Sequence, residues 1–305
     1  MHDPAGGEGE RPILLHALDG FVDAGAGGRL AAEHLLSTLS GSVAATFDVD
    51  LLLDYRARRP AMVFEDRAFT AYVEPRLVVH RLTDGAGVPF LLLAGPEPDV
   101  MWRRFVDAVD LLVERLGVRL MVGLTAIPWA APHTRPVGVI AHSHDDDLVR
   151  GYESLGATVR VPGHVDVLLE QQLGVRGRAT MGFAAQVPHY LSQVDYPDAA
   201  ARLLDAVCGA TGLTLPTEPL LAAGEQVRQA VDGQIAESPE TLALVRALEE
   251  QYDNQVRAMS LGTGGAGDAS GGDATGDAAA TTTGEDLAAQ FERFLAERDR
   301  GSGAG

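Results

Sequence analysis

The residues of this chain that could do chemistry are carboxylates, histidines and one arginine placed just after apolar runs. The first group sits in Leu18-Asp19-Gly20-Phe21-Val22-Asp23-Ala24-Gly25-Ala26-Gly27-Gly28. A glycine-rich loop opening a helix offers free N–H groups to phosphate. Ala26, however, stands where a P-loop needs lysine, and Leu30 where a dinucleotide fingerprint needs its third glycine. Two readings stay open: a tight turn whose aspartates cap the helix, or Asp19 and Asp23 serving a polar ligand or acid/base work. The second group is Thr125-Ala126-Ile127-Pro128-Trp129-Ala130-Ala131-Pro132-His133-Thr134-Arg135-Pro136. It leaves a strand end, where open α/β sheets place ligands, and its prolines stiffen it. His164 after Pro162-Gly163 and His189 after Pro188 follow apolar runs in the same way. A cleft lined by Asp19, Gly20, Asp23, Thr125, His133, Arg135, His164, Pro188 and His189 is the candidate site. In it Arg135 would clamp an anion through two hydrogen bonds, and a histidine would carry the proton.

Other patterns carry less. His142-Ser143-His144 places two imidazoles on one strand face, but no third ligand frame accompanies them, and Asp145-Asp146-Asp147 is an ordinary acidic helix start. No Gly-x-Ser-x-Gly elbow is present. Cys208, the single cysteine, falls in an apolar helix and reads as a small buried residue. No metal and no cofactor is expected.

The elements that must position these residues follow from hydrophobic period. Strands are expected at Ile13–Leu18, Val43–Leu53, Arg76–Leu82, Val88–Ala94, Val118–Ile127 (stopped by Pro128), Val137–Ala141, Thr158–Val161 and Ala179–Ala185. The Asp84-Gly85 turn makes the third and fourth a hairpin. Helices are expected from Leu30 to Leu39, Asp99 to Leu116, Asp145 to Leu155 with Gly156 closing it, and Val165 to Leu173. Strands alternating with helices give a three-layer α/β/α sandwich with a mostly parallel sheet. From Tyr196 onward only helices are legible: Ala199–Ala210, Gly224–Glu237 and Pro239–Arg257. The domain expectation is a flexible 1–11, an α/β core over 12–215 and a helical extension over 216–260. Beyond these come a disordered linker over 261–284, a short amphipathic helix over 285–299 and a flexible tail over 300–305.

Composition narrows the partners. The 305 residues hold 43 acidic against 24 basic side chains, net −19, and every basic residue is arginine. So acidic a surface repels a phosphate backbone, which argues against nucleic acid. The absence of lysine removes Schiff-base and Walker chemistry. No apolar run is long enough to span a membrane, no secretory signal is visible, and one cysteine allows no internal disulfide. A cytoplasmic protein is expected.

Four stretches together resemble the PAC2 family, the proteasome assembly chaperone 2-like proteins. They are Gly182-Phe183-Ala184-Ala185-Gln186-Val187-Pro188-His189-Tyr190-Leu191, then Tyr196-Pro197-Asp198-Ala199-Ala200, the Pro132–Pro136 loop, and Asp19–Gly25. The resemblance runs from about residue 12 to 257 and is similar to the longer actinobacterial branch. It implies an architecture like that of the nucleoside phosphorylases with a helical addition, self-association as a trimer or dimer, and a protein complex such as the proteasome as partner. Relatives that dock on the proteasome α-ring use a hydrophobic–Tyr–any-residue tail, whereas this sequence ends Gly301-Ser302-Gly303-Ala304-Gly305. The expected function is non-catalytic, an interaction or assembly-chaperone-like protein. The alternative is a small-molecule binder or enzyme using the cleft at the strand ends.

Overall fold

A computed structural model describes residues 11–152, 154 and 158–262, without the side chains of 259–262. The expected linker, terminal helix and tails beyond residue 262, the first ten residues and Gly156 lie outside the described residues. The chain opens with β1 (Ile13–Asp19), whose ILLHALD sequence is buried on both faces up to its last residue. A strand covered on both sides has no polar alternation to keep, hence its nearly continuous apolar run. A tight turn over Ala24–Ala26 leads into α1 (Gly27–Thr38). Then come β2 (Gly41–Thr46), β3 (Met62–Glu65), β4 (Ala68–Tyr72), β5 (Val78–Thr83) and β6 (Pro89–Pro96). They are followed by α2 (Trp102–Arg115), β7 (Leu120–Trp129), β8 (Val139–Ser143), the single-turn α3 (Asp146–Val149), α4 (Val165–Val175) and β9 (Thr180–Pro188). Helices α5 (Pro197–Thr211), α6 (Glu218–Ala236) and α7 (Pro239–Gly262) complete the described chain.

The main sheet has the order β2-β5-β6-β1-β7-β9-β8. Its centre, β6-β1-β7-β9, is parallel; β5 and β8 run antiparallel to it, and β2 pairs antiparallel to β5 at the outer edge. One face packs Leu15, Ala17, Leu92, Val122, Leu124 and Phe183 under α1 and α5. The other packs Leu14, Leu18, Leu91, Leu93 and Met121 under α2 and α4. Alternate residues of β1 therefore feed two separate cores. The α2 stripe Phe105, Val106, Val109 and Val113 is buried as its spacing requires, and Gly117 beyond it takes φ +66°, the left-handed conformation that stops the helix.

Several expected boundaries need correction. The strand expected over Val43–Leu53 ends at Thr46, because the Asp48 side chain accepts from the Asp50 amide and turns the chain into a short 3₁₀ segment. Pro128 does not stop β7, which continues to Trp129. β1 pairs β7 only from Leu120 to Gly123, so the far half of β7 has a free edge on that side that needs no proline N–H. The helix expected over Asp145–Leu155 is the single turn of α3, with Asp145 capping the Asp147 amide. Thr158–Val161 forms no strand: β8 already occupies the outer edge beside β9, and Val159 and Val161 line a cavity. The β3–β4 hairpin was not legible in the sequence.

Candidate functional site

The carboxyl ends of β1, β6, β7 and β9 lie on one side of the sheet, and the loops leaving them hold most of the candidate residues. In the first loop the Asp23 carboxylate accepts from the Gly28 amide at 2.8 Å and the Arg29 amide at 2.9 Å, and so caps α1. Burial pushes its carboxyl up to about 7, against those two amides and with Asp166 and Asp19 adding repulsion. Glu97, immediately after β6, is the keystone of this edge. Its carboxylate is buried and accepts from Phe21 N at 2.9 Å and Val165 N at 2.7 Å, tying the first loop to the start of α4. Gly20 is required there, since a Cβ would fall 2.0 Å from the Glu97 oxygen.

Behind this edge a row of residues crosses four strands in register: His16 on β1, Gly123 on β7, Gly182 on β9 and His142 on β8. The two imidazoles lean inward over the two glycines. A Cβ on Gly123 would sit 2.8 Å from His16 Cε1, and one on Gly182 would sit 2.3 Å from His142 Cε1. Helix α4 lies across the row and lowers two carboxylates four residues apart, one turn of helix. Asp166 meets His16 Nδ1 at 2.7 Å, and Glu170 meets His142 Nδ1 at 2.8 Å. The His16 pair is wholly enclosed, and His16 Nε2 has no partner.

Beside the row is a cavity of about 560 Å³, bordered by Thr125, Ile127 and Trp129 of β7, Ile140 and His142 of β8, Ala184 of β9, and His164. Of the nine sequence candidates, Thr125 and His164 line this cavity. Asp19 faces a smaller groove between β1, β6 and α1 that also holds Arg29 and Arg76. Gly20 and Asp23 shape the turn between them.

His133 and Arg135 are elsewhere. The Pro132–Pro136 loop is the seat of the helical extension. Arg135 forms a fork with Asp253 of α7, at 2.8 Å through both Nε and Nη2, and reaches Glu249 at 3.2 Å. The Asp253 bond and the two carboxylate charges hold the guanidinium above its ordinary range. Thr134 donates to Glu249 at 2.5 Å. His133 is buried: its backbone N–H donates to Tyr190 Oη, whose proton is therefore free to bond His133 Nδ1 at 2.7 Å. This leaves Nε2–H to donate to Asp232 of α6 at 3.0 Å. His189, after Pro188 at the end of β9, lies edge-on to the same Tyr190, with ring centres 5.4 Å apart. Among the described residues no group of three His, Cys, Asp or Glu could hold a metal, and no helix is long and apolar enough to cross a membrane.

The sequence profile of the PAC2 family matches residues 17–235. The chain belongs to the PAC2 family. Solved structures similar to it include a Mycobacterium tuberculosis protein of unknown function, 45% identical, with a TM-score of 0.79 over 83% of this chain and 88% of the other. A Corynebacterium glutamicum protein of unknown function is 38% identical, with a TM-score of 0.79 over 84% and 95%. A Mycobacterium tuberculosis proteasome-assembly chaperone homologue is 26% identical, with a TM-score of 0.70 over 76% and 99%. No curated protein matches the chain. The PAC2 profile ends within α6, so the Arg135 contacts to α7 lie past the matched part.

That placement carries a prediction. Arg135→Ala should release α7 while leaving the PAC2 core folded, because partly exposed ion pairs contribute little to global stability. Tryptic cleavage after Arg246 and Arg257 should quicken by about tenfold, reporting local opening. The thermal midpoint of the core should move by less than about 2 °C. Cleavage at the wild-type rate would remove the loop from this role.

Proposed function

We propose that the chain is a non-catalytic, assembly-chaperone-like protein that associates with copies of itself and holds subunits of a larger complex. The observation that carries this reading is the β3–β4 hairpin. Its nine residues are all exposed, and Met62, Val63, Phe64, Phe69, Tyr72 and the following Val73 show 41–67% of their surface. Apolar residues at this exposure on both faces of one arm form a patch of the kind that marks an interaction surface. A two-stranded hairpin alone is marginal in water, and the Phe64–Phe69 edge-to-face contact at 5.1 Å is its main internal packing.

Charge favours an acidic partner, and a second copy qualifies. Residues 55–76 hold five arginines (56, 58, 59, 67 and 76) against three carboxylates (65, 66 and 74), a net of +2 on a chain of −19. In the main sheet β2 is an exposed edge strand with Val43 half open, a second place where another chain could pair. The mycobacterial chaperone homologue makes a proteasome-type complex the partner class to test.

The test is light scattering after gel filtration, together with affinity capture of the full chain from native cytosol. Wild type is expected to run as a trimer or dimer and to retain subunits of a defined complex. Phe64→Ser with Phe69→Ser is expected to give a folded monomer that retains neither. A wild-type chain that is monomeric at micromolar concentration and brings down no complex would sink the proposal, as would turnover of a small substrate by the purified protein.

A further inference from the structure

A pocket of about 410 Å³ lies where the helical extension meets the core, between the Pro132–Pro136 loop, α5 and α6. That volume falls within the roughly 300–1,000 Å³ of pockets that enclose small organic molecules. Most of its polar groups are already spent. Thr134 and Arg135 bond carboxylates of α7, and both ring nitrogens of His133 have partners. Arg228 of α6 gives one amino group to Asp198 and the other to Glu225. Three groups are not spent. Tyr196 is buried but for 1% of its surface, and its hydroxyl bonds no described residue. The unpartnered side-chain atoms sealed from solvent are His16 Nε2 and His164 Nδ1. The Tyr196 hydroxyl is not one of them, so it keeps an open face, and that face is on this pocket. Arg202 is pinned through Nε to the Val137 carbonyl oxygen at 3.2 Å, and its two terminal nitrogens have no partner among the described residues. The Asp205 carboxylate, exposed at the mouth, has none either.

Asp198, Arg202 and Asp205 follow one another at i, i+4 and i+7 along one face of α5. Opposite charges at that spacing ordinarily pair. Here Asp198 turns to Arg228 and Arg202 to Val137, so Arg202 pairs with neither carboxylate of its own helix face. Tyr196 stands at the start of the same helix. Burial, and then the Asp198 charge, hold its phenol above the ordinary range, so it remains a hydrogen-bond donor. Charge then decides the ligand class. A phosphate or a dicarboxylate would meet Asp198 and Asp205, and a simple amine would meet Arg202; like charges brought together cost affinity. A molecule with one carboxylate and one ammonium answers both signs. The rest of the wall is aliphatic: Pro136, Val137 and Leu221.

From these observations we propose that the pocket binds a free α-amino acid with an aliphatic side chain. Its carboxylate takes the terminal nitrogens of Arg202 and the hydroxyl of Tyr196, and its ammonium takes the Asp205 carboxylate. Its side chain lies against Val137 and Leu221. The site shares no residue with the β3–β4 hairpin, and the inference does not depend on self-association.

Titration calorimetry on the full chain with three matched probes tests it. They are L-leucine, 4-methylpentanoate (ammonium absent) and isoamylamine (carboxylate absent). Leucine is expected to bind saturably with Kd below about 1 mM, and the other two about tenfold more weakly or worse, the scale of one lost charge-assisted hydrogen bond. Tyr196→Phe removes a hydroxyl that bonds nothing in the protein, so the thermal midpoint should stay where it is. Leucine and 4-methylpentanoate should both weaken in that variant by about fivefold. Asp205→Asn should weaken leucine by about tenfold and leave 4-methylpentanoate unchanged or tighter, a split that a merely structural Asp205 would not give. The proposal is overturned by no saturable leucine binding, by either truncated probe binding as tightly as leucine, or by leucine affinity that is unchanged in both variants.

Discussion

Asp166→Ala should lower the unfolding free energy by about 3 kcal/mol, the upper scale for leaving a buried polar group without its hydrogen-bond partner. The argument rests on where the partner is. His16 shows 1% of its surface, and its Nδ1 bonds Asp166 at 2.7 Å. Its ring is wedged over Gly123, so it cannot swing out to water. Its Nε2 is already without a partner. Removing the carboxylate leaves both ring nitrogens unsatisfied inside the core formed by Leu14, Leu91, Phe105 and Leu169. Replacing both partners should cost far less. His16→Leu with Asp166→Leu fills the space with apolar atoms and removes the desolvation burden, so the double variant should lie within about 1 kcal/mol of wild type or above it. Glu170→Ala provides the contrast. Its partner His142 keeps about a third of its surface in solvent, and water can replace the lost bond, so the cost should be under about half that of Asp166→Ala. Chemical denaturation of the four proteins measures all of this. Equal losses for Asp166→Ala and Glu170→Ala would mean that the His16 pair is not closed to water.

How much of this was legible in the sequence depends on the range over which each signal acts. Helix α2 was legible because its apolar period is local, and the β5–β6 hairpin because Asp84-Gly85 announces its turn. The sandwich followed from the alternation of such segments. The hairpin of β3 and β4 went unread because its turn, Asp66-Arg67, contains no glycine. Asp66 itself takes φ +51°, a conformation that aspartate tolerates but does not advertise. Asp19, Thr125, His133 and His189 do fall at or just after strand ends, whereas His164 follows no strand and stands at the start of α4, and the partners of all of them could not be read. Arg135 and Asp253 are 118 residues apart, and His16 and Asp166 are 150 apart. A helix that shows Asp166 and Glu170 one turn apart suggests a polar face. Only the sheet order reveals that the face is turned inward onto two histidines. Glu97 was missed altogether: one carboxylate between two prolines gives no pattern, although it joins the two loops on which the cavity edge depends.

The glycines are where local rule and tertiary demand conflict most openly, and Gly28→Ala puts that conflict to the test. Alanine in place of glycine inside a helix ordinarily stabilises by about 1 kcal/mol. Gly28 is in the first turn of α1, where the helix approaches β7 so closely that a Cβ would lie 2.6 Å from the Leu124 carbonyl oxygen. The obstacle is backbone of a central strand that β9 holds in place, so no side-chain rotation relieves it. The same turn receives the Asp23 cap through the Gly28 amide, so any retreat of α1 also loosens the loop that Glu97 holds. The expected loss is about 3 kcal/mol, the upper range for overpacking. Gly209, in the last turns of α5, has nothing within 4 Å of a built Cβ. Gly209→Ala should therefore follow the ordinary rule and gain about 0.5–1 kcal/mol. Thermal unfolding of the two variants side by side separates propensity from packing. If both gained stability, α1 would not sit against β7 at this distance, and the geometry of the whole carboxyl edge would have to be redrawn.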